Sequence, residues 1–398
     1  MITPFRPLRP LALALGLVVA GCSTSTPTPV ASPPASPSSA PSSNLESAAP
    51  STTTPSSPPS ASVAPSPALT GWHLVALPDQ TGISNIADLA AGPGRIIAVG
   101  GMGPLGTGRA WWSGDGGATW VAEPLPPDTR APLRVVVWGD RFLAAGAGEF
   151  DCPHPFALQT WVRTAAGTWN AAPADQKFCV GGSGELAVHG QTAVMAGTGS
   201  GDVPFVWSSR DGLHWIDRSG AIQRDTTPAA VIADSSGFAV FGASPAGPWD
   251  VHSADGSAWQ GERLPGNATV YPMDAFLRDS QPAVIVESGS SVGVIARDSA
   301  GAWQTQPANG LDASLLARVV AVKGGLVALG GGSAGPRIWA SADGTSWRAV
   351  ELPSGLATTT SLTSAIVAND RAVLSGQTTI NGKAVGAIWI GPASLLAS

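Results

Sequence analysis

From residue 71 to the end of the chain, short apolar runs alternate with polar or glycine-rich turns. The runs are rich in Val, Ile, Ala and Trp, and each is bounded by Gly, Pro or Asp. No stretch of this region keeps the apolar spacing of an amphipathic helix, whereas short β-branched runs between such turn residues are typical of β-strands. The pattern therefore predicts an all-β domain over residues 71–398.

The runs recur in a fixed order of four, and a tryptophan marks the fourth run of each repeat. A repeat of about 45 residues with four strands is the signature of a β-propeller blade. The marker tryptophans are spaced at intervals of 44 to 49 residues. They are Trp72, Trp120, Trp169, Trp215, Trp259, Trp303 and Trp347.

The two ends of the repeat region predict how the ring closes. Residues 71–78 match a fourth run that has no blade before it, and residues 386–390 match a third run that has no fourth run after it. If the first of these strands completes the last blade, the sheet edge that would otherwise be exposed is covered. Six complete units and this composite one predict a seven-bladed β-propeller with four antiparallel strands in each blade.

A polar turn with an aspartate precedes most of the marker tryptophans, as in SGDGGATW over residues 113–120. This turn resembles the Asp box, or BNR repeat, of bacterial sialidases and related propellers. An aspartate at a tight turn accepts backbone N–H bonds and glycine tolerates a positive φ, so these acids are predicted to be structural. The resemblance implies that they lie on the face opposite the binding site. The five acids are Asp115, Asp211, Asp255, Asp298 and Asp343.

The N-terminal residues 1–22 have the pattern of a secretion signal. Arg6 and Arg9 precede a short apolar run, which ends in Val-Ala-Gly before Cys22. The run is too short to cross a bilayer as a helix. Its end resembles the bacterial lipobox, which implies that Cys22 is lipidated. We therefore expect a lipoprotein anchored to the bacterial cell membrane and facing the extracytoplasmic side.

Residues 23–70 have the composition of a tether. Ser, Pro, Ala and Thr make up 42 of these 48 residues, and Glu46 carries the only charge. A segment with so little apolar surface cannot offset the entropy lost on ordering. The sequence therefore predicts a disordered tether between the anchor and the domain.

The charge of the domain narrows the class of partner. Leaving out Arg6, Arg9 and Glu46 changes the net charge of the chain from −6 to −7. Basic stripes are absent from the sequence, which argues against nucleic acid and against a polybasic membrane surface. We expect a monomer without a cofactor or a metal.

Two loops of the second repeat carry the densest group of reactive side chains. With Cys22 lipidated, Cys152 and Cys179 are the remaining thiols, and an exported protein meets an oxidising compartment. A disulfide between them is the favoured interpretation, and a metal site formed with His154 is the alternative. The other polar candidates in these loops are Glu149, Asp151, Asp175 and Lys177, beside Phe156.

Further candidate ligand-binding residues belong to other repeats and are expected on the same face as these two loops. Arg224, Tyr271 and Asp274 belong to this set. Residues near the starts of the innermost strands are expected near the central channel, where binding sites of propellers form. These channel candidates are Arg130, Arg134, Glu185, Arg224, Thr227 and Asp274.

The resemblance to sialidases does not extend to a complete catalytic set. That family uses an arginine triad and a tyrosine paired with a glutamate on six blades, whereas Tyr271 has Asp274 as its nearest acid. We therefore expect a binding module for a protein or a glycan. An Asp-box glycoside hydrolase is the alternative, which requires two facing acids. Nothing in their spacing singles out a pair among Asp151, Asp175, Asp202, Asp225 and Asp274.

Overall fold

The computed structural model describes most of the chain from residue 71 onward, and within that part it forms seven four-stranded antiparallel sheets. The described residues are 71–80, 82–101, 106–127, 129–148, 157–173, 178, 183–199, 202–332, 335–352, 356 and 360–397. The predicted signal, lipidation site and tether, including Cys22, lie outside them. No helix in the described ranges is long and apolar enough to cross a membrane.

The strands follow the predicted repeat, four to a blade in chain order. Blade 1 contains β2 (Asn85–Gly92), β3 (Arg95–Gly101), β4 (Gly108–Ser113) and β5 (Val121–Glu123). Blade 2 contains β6 (Thr129–Trp138), β7 (Arg141–Gly148), β8 (Ala157–Arg163) and β9 (Trp169–Ala171). Blade 3 contains β10 (Ser183–His189), β11 (Thr192–Thr198), β12 (Pro204–Ser209) and β13 (Trp215–Asp217).

The remaining blades repeat the same plan. Blade 4 contains β14 (Thr227–Asp234), β15 (Gly237–Ser244), β16 (Gly247–Ser253) and β17 (Gln260–Arg263). Blade 5 contains β18 (Val270–Arg278), β19 (Gln281–Ser288), β20 (Ser291–Arg297) and β21 (Trp303–Pro307). Blade 6 contains β22 (Leu316–Val322), β23 (Gly325–Gly332), β24 (Gly335–Ser341) and β25 (Arg348–Ala349). Short 3₁₀ turns are also formed by Ser219–Ala221 and Ala393–Leu395.

The seventh blade joins the two ends of the domain, as the sequence predicts. It contains β26 (Ser361–Ala368), β27 (Arg371–Ile380) and β28 (Lys383–Pro392), and β1 (His73–Val75) pairs with β28 as its outermost strand. His73 lies opposite Ile390, and Val75 lies opposite Ile388. The indole N–H of Trp111 in blade 1 also donates to the carbonyl of Pro78 over 2.8 Å. The N-terminal strand is thereby tied to the last blade and to the first one.

The hydrophobic core consists of layers between neighbouring blades. One layer, for example, packs Ile97 and Val99 of blade 1 against Phe142 and Trp161 of blade 2, and all four side chains are fully buried. Each first strand contacts the first strands of the two adjacent blades, and β26 contacts β2, so the innermost strands form a closed ring. Second strands such as β3 are buried along nearly their whole length, because successive side chains point to opposite faces of the sheet and both faces pack against such layers.

The second strands carry glycine where they approach a distorted first strand. In blade 7 a Cβ on Gly376 would lie 1.9 Å from the carbonyl oxygen of Ser361, and in blade 6 a Cβ on Gly330 would lie 1.9 Å from that of Leu315. The register of β26 against β27 shifts between Leu362 and Ser364 at this level, which marks a β-bulge. Glycine therefore permits the close approach that the bulge requires.

Candidate functional site

One position in each first strand forms a ring around the central axis, and we call these seven positions the inner ring. The register of the first strand shifts just before this position in six of the seven blades, as in β6 between Pro132 and Arg134. A β-bulge bends its strand and turns the next side chain to a new direction. The inner-ring residues are Asp88, Arg134, Glu185, Ala230, Asp274, Arg318 and Ser364.

An ion pair joins the inner-ring residues of blades 2 and 3. The Nη2 of Arg134 lies 2.5 Å from Oε1 of Glu185, and its Nε donates to both carboxylate oxygens over 2.7 and 2.9 Å. Burial acts to raise the pKa of Glu185, but the charge and hydrogen bonds of Arg134 outweigh it, so the pKa is lowered. The two side chains keep 27% and 32% of their surface accessible, so the pair is available to solvent and ligands on its open side.

A second ion pair crosses the ring between blades 6 and 1. The Nη1 of Arg318 donates to Oδ1 of Asp88 over 3.0 Å and to the carbonyl of Thr363 in blade 7 over 3.1 Å. The other oxygen of Asp88 accepts the backbone N–H of Val135 in blade 2 over 3.1 Å. Asp88 is 3% exposed, and these contacts link four consecutive blades around the ring.

Asp274 of blade 5, like Asp88, accepts a backbone N–H of the next blade, but no arginine forms an ion pair with it among the described residues. Its Oδ1 accepts the backbone N–H of Ala275 over 2.9 Å, and its Oδ2 accepts that of Val319 in blade 6 over 2.8 Å. Burial raises the pKa of Asp274 to about 6; the charge of Arg318 opposes the rise and the negative charge of Glu185 adds to it. Asp274 is therefore partly protonated near pH 6, while Glu185 stays ionised.

The ring places fixed charges of both signs around the axis. Five of its seven positions are charged, three acidic and two basic, and both arginines are held by carboxylates. Such preorganised charges bind a polar ligand without further ordering of the side chains. Two carboxyl groups with pKa values displaced in opposite directions, here Glu185 and Asp274, are also the arrangement that acid–base catalysis uses.

The structure brings together three of the channel candidates identified from sequence. Arg134, Glu185 and Asp274 all lie in the inner ring. Burial acts to lower the pKa of Arg134, but the charge and hydrogen bonds of Glu185, together with the charges of Asp88 and Asp274, outweigh it, so the pKa is raised. The inner ring does not include the other described candidates. These are Arg130 in β6, Thr227 at the start of β14, Arg224 in the turn before β14, and Tyr271 in β18.

Arg224 and Tyr271 are exposed on the face where the first strands begin. Tyr271 keeps 47% of its surface accessible, and Arg224 is also exposed. The remaining candidates on this face lie outside the described residues, so their positions stay predictions. They are Glu149, Asp151, Cys152, His154, Phe156, Asp175, Lys177 and Cys179.

The sequence analysis missed two charged members of the ring, Asp88 and Arg318. Both stand immediately before an apolar triplet, Leu-Ala-Ala after Asp88 and Val-Val-Ala after Arg318. The same arrangement holds for Arg134 before Val-Val-Val and Glu185 before Leu-Ala-Val. An alignment of the first strands on this triplet would have placed all four in one column, so a signal was present.

The aspartates of the third-to-fourth-strand turns lie at the opposite end of the blades from the starts of the first strands. Asp115 accepts the backbone N–H of Thr119 over 2.9 Å, and Ser113 accepts that of Gly117 over 2.8 Å. The indole N–H of Trp120 donates to the carbonyl of Gly117. Turns at Asp211, Asp255, Asp298 and Asp343 have corresponding aspartate-to-backbone bonds.

These hydrogen bonds stabilise the ionised aspartates. Partial burial acts to raise the pKa of Asp343, but hydrogen bonds from Thr345 and Ser346 outweigh it and lower the pKa to about 2. The pKa of Asp211 is also about 2, because bonds from His214 and Leu213 outweigh burial. The carboxylates are engaged by their own turns, as a structural role requires.

Comparison with solved structures identifies proteins of similar fold at low sequence identity. A streptogramin B lyase has 13% sequence identity to this chain, and the match covers 81% of this chain and 99% of the lyase, with a TM-score of 0.54. Virginiamycin B lyase from Staphylococcus aureus with quinupristin is 9% identical, covering 80% and 98%, also with a TM-score of 0.54. Trypanosoma rangeli sialidase is 12% identical, covering 78% of this chain and 55% of its own, with a TM-score of 0.41. At these identities the lyases share the fold alone.

No family model and no curated protein sequence matches the chain. The function has therefore to be argued from the residues of this chain.

Proposed function

We propose that the propeller is a binding module for a protein or a glycan, and that the chain is a bacterial lipoprotein displaying it on the extracytoplasmic side of the cell membrane. The observation that carries the binding role is the inner ring. Its charges are held by blade-to-blade contacts such as Arg134–Glu185 and Arg318–Asp88, while part of the first pair stays accessible. A rigid ring of mixed charge suits recognition of a polar ligand.

The exposed residues on the same face extend the proposed surface. Tyr271 offers an aromatic face and Arg224 a cation, which are side chains enriched where interfaces contribute most to binding. The net charge of −7 for the domain, counted without Arg6, Arg9 and Glu46, favours a neutral or basic partner over a polyanion.

Screening the soluble fragment 71–398 against a glycan array and a cell-surface extract tests the binding role. We expect a specific ligand whose binding weakens in an Arg224→Ala, Tyr271→Ala variant. The matched control is Asp140→Ala, because Asp140 is exposed in the β6–β7 turn at the other end of the blades. Absence of any ligand, or equal weakening by the control, would contradict the proposed surface.

A glycoside hydrolase is the second candidate, supported by the opposite pKa shifts of Glu185 and Asp274. In a hydrolase, Asp274 would donate the proton to the leaving group and Glu185 would act as base or nucleophile. The test is release of reducing sugar from any bound glycan. If the wild-type fragment cleaves it and Asp274→Asn binds without cleaving, the enzyme replaces the binding module.

The membrane anchor rests on the sequence pattern around Cys22. We expect Cys22→Ser to block lipidation and move the protein from the detergent phase to the aqueous phase, with the propeller still folded. A Cys22→Ser variant that stays in the detergent phase would refute the lipidation.

The disulfide between Cys152 and Cys179 is likewise proposed from sequence. It would tie two loops of blade 2 on the binding face. Thiol titration of the unfolded, unreduced protein should find neither cysteine reactive. Two reactive thiols would exclude the disulfide and favour the metal site with His154.

A further inference from the structure

Two of the interfaces between neighbouring blades are joined by the same three residue types, a glutamate, an arginine and a tryptophan. We call this arrangement the Glu–Arg–Trp clasp. Between blades 1 and 2, Glu123 of β5 accepts from Arg163 at the end of β8 and from the indole N–H of Trp169. Between blades 4 and 5, Glu262 of β17 accepts from Arg297 and Trp303. In both cases a carboxylate on a fourth strand holds the next blade.

The two clasps differ in how many oxygens of the carboxylate accept hydrogen bonds. Arg163 binds both oxygens of Glu123, over 2.7 Å and 2.5 Å, and Trp169 adds a third bond over 2.9 Å. Arg297 and Trp303 both bind Oε1 of Glu262. The side chain of Glu123 is 8% exposed and that of Glu262 is 36% exposed. The second clasp is therefore more open to solvent.

Blade 4 adds two side chains that the clasp does not need. Glu123 lies opposite Ala110 in the strand register, and Glu262 lies opposite Asp250. Two residues further along the same strands, blade 1 has Trp112 and blade 4 has His252. Because the first clasp forms without an acid or an imidazole at these places, Asp250 and His252 require a separate explanation.

The carboxylate of Asp250 is buried, and one of its two oxygens has no hydrogen-bond partner among the described residues. Its side chain is 2% exposed; Oδ2 lies 3.1 Å from Nδ1 of His252, while Oδ1 is buried and has no hydrogen-bond partner among the described residues. A buried polar atom without a partner destabilises the folded state, and more strongly if it is charged. Two carboxylates here face one guanidinium, that of Arg297. A cation held by both carboxylate oxygens of Asp250 would give Oδ1 a partner and balance the charge.

We propose that Asp250, His252 and Glu262 form a binding site for one divalent transition-metal ion, with Zn²⁺ as the best fit. Ligand atoms of the three side chains lie within 4.8 Å of one another. One imidazole and two carboxylates suit Zn²⁺, whereas Ca²⁺ and Mg²⁺ prefer oxygen ligands alone. Three protein ligands leave a coordination position open for water or a ligand donor atom.

The geometry requires a small contraction. With bond lengths of about 2.0–2.2 Å, neighbouring ligand atoms of a tetrahedral zinc site are about 3.3–3.6 Å apart. Oδ2 of Asp250 and Nδ1 of His252 are already 3.1 Å apart. His252 is 45% exposed and Glu262 36%, so both can rotate toward an ion that enters from solvent. Glu262 can offer Oε2 while Oε1 remains in the clasp.

Titration of the metal-free full-length chain with ZnCl₂, by calorimetry after dialysis against a chelator, tests the site. Wild-type protein should bind one more Zn²⁺ than the Asp250→Asn, His252→Gln variant, and His252→Gln alone should weaken that site at least about 10-fold. Co²⁺ in place of Zn²⁺ should give the visible absorption of a mixed nitrogen and oxygen site in the wild type and lose it in the variant. His252→Gln changes a half-exposed side chain, so it should fold normally.

Two controls make the result specific. Glu123→Gln alters the equivalent clasp of blades 1 and 2, and it should leave the Zn²⁺ stoichiometry unchanged. A Cys152→Ala, Cys179→Ala variant should also keep the ion bound at His252. Equal Zn²⁺ binding by the wild type and the double variant, loss of the ion in the cysteine variant, or no binding by the wild type would each overturn the proposal.

Discussion

Replacing Glu123 with Gln removes the carboxylate charge of a buried clasp while keeping its shape. The change leaves the guanidinium of Arg163, a residue only 2% exposed, without an opposite charge at the blade 1–2 interface. Both groups are desolvated in the folded protein, and the ion pair joins them over 2.5 Å. The lost attraction is not replaced by water, so the folded state becomes less stable.

The expected loss in the free energy of unfolding follows from how deeply the ion pair is buried. Breaking a buried ion pair by removing one partner costs about 3–5 kcal/mol, and we expect the lower end because Gln retains a hydrogen-bond acceptor. The matched change Glu262→Gln affects a pair whose side chains are 29% and 36% exposed. An exposed pair contributes about 0–1 kcal/mol. The two variants should therefore differ by about 2–3 kcal/mol in the free energy of unfolding.

Urea denaturation followed by tryptophan fluorescence measures the difference, with chelator present so that no ion binds near Glu262. A third variant, Glu123→Met with Arg163→Leu, should recover part of the stability, because it removes both charges together, while the indole N–H of Trp169 still loses its acceptor. If Glu123→Gln costs no more than Glu262→Gln, burial does not set the strength of the clasp and the reasoning is wrong.

Three further predictions concern other parts of the fold. Gly376→Ala should lower the free energy of unfolding by about 1–3 kcal/mol through overpacking. The control Gly220→Ala, where an added Cβ would meet open space, should change it by less than about 0.5 kcal/mol. Equal melting temperatures of the two variants would contradict this. Deleting residues 71–78 should lower the melting temperature and cause aggregation, because β28 becomes an unpaired edge; unchanged melting would refute the role of β1. Burial raises the folded pKa of Asp274 to about 6, above the ordinary 3.8, so wild-type stability should fall as pH rises from about 4 to 6. Burial also raises the pKa of Asp250 to about 6, so Asp274→Asn should show a smaller fall than the wild type rather than none; identical pH profiles would refute the role of Asp274.

The sequence by itself determined the number of blades, the order of their strands and the closure of the ring. These features follow from local patterns: short apolar runs rich in β-branched residues define strands, turn residues separate them, and a tryptophan repeats at a regular interval. The unmatched fourth strand at residues 71–78 was enough to predict its pairing with the last blade, which the structure confirms. The hydrophobic pattern carries this information because each blade must bury both of its faces.

The tertiary structure alone decided which charged residues meet. Asp88 and Arg318 are 230 positions apart and bond only because the ring closes and bulges turn both side chains inward. Glu262 reaches Asp250 through strand register and Arg297 through the packing of the next blade. Local sequence does not encode such contacts, since a one-residue shift in register would point the same side chain to the opposite face of the sheet.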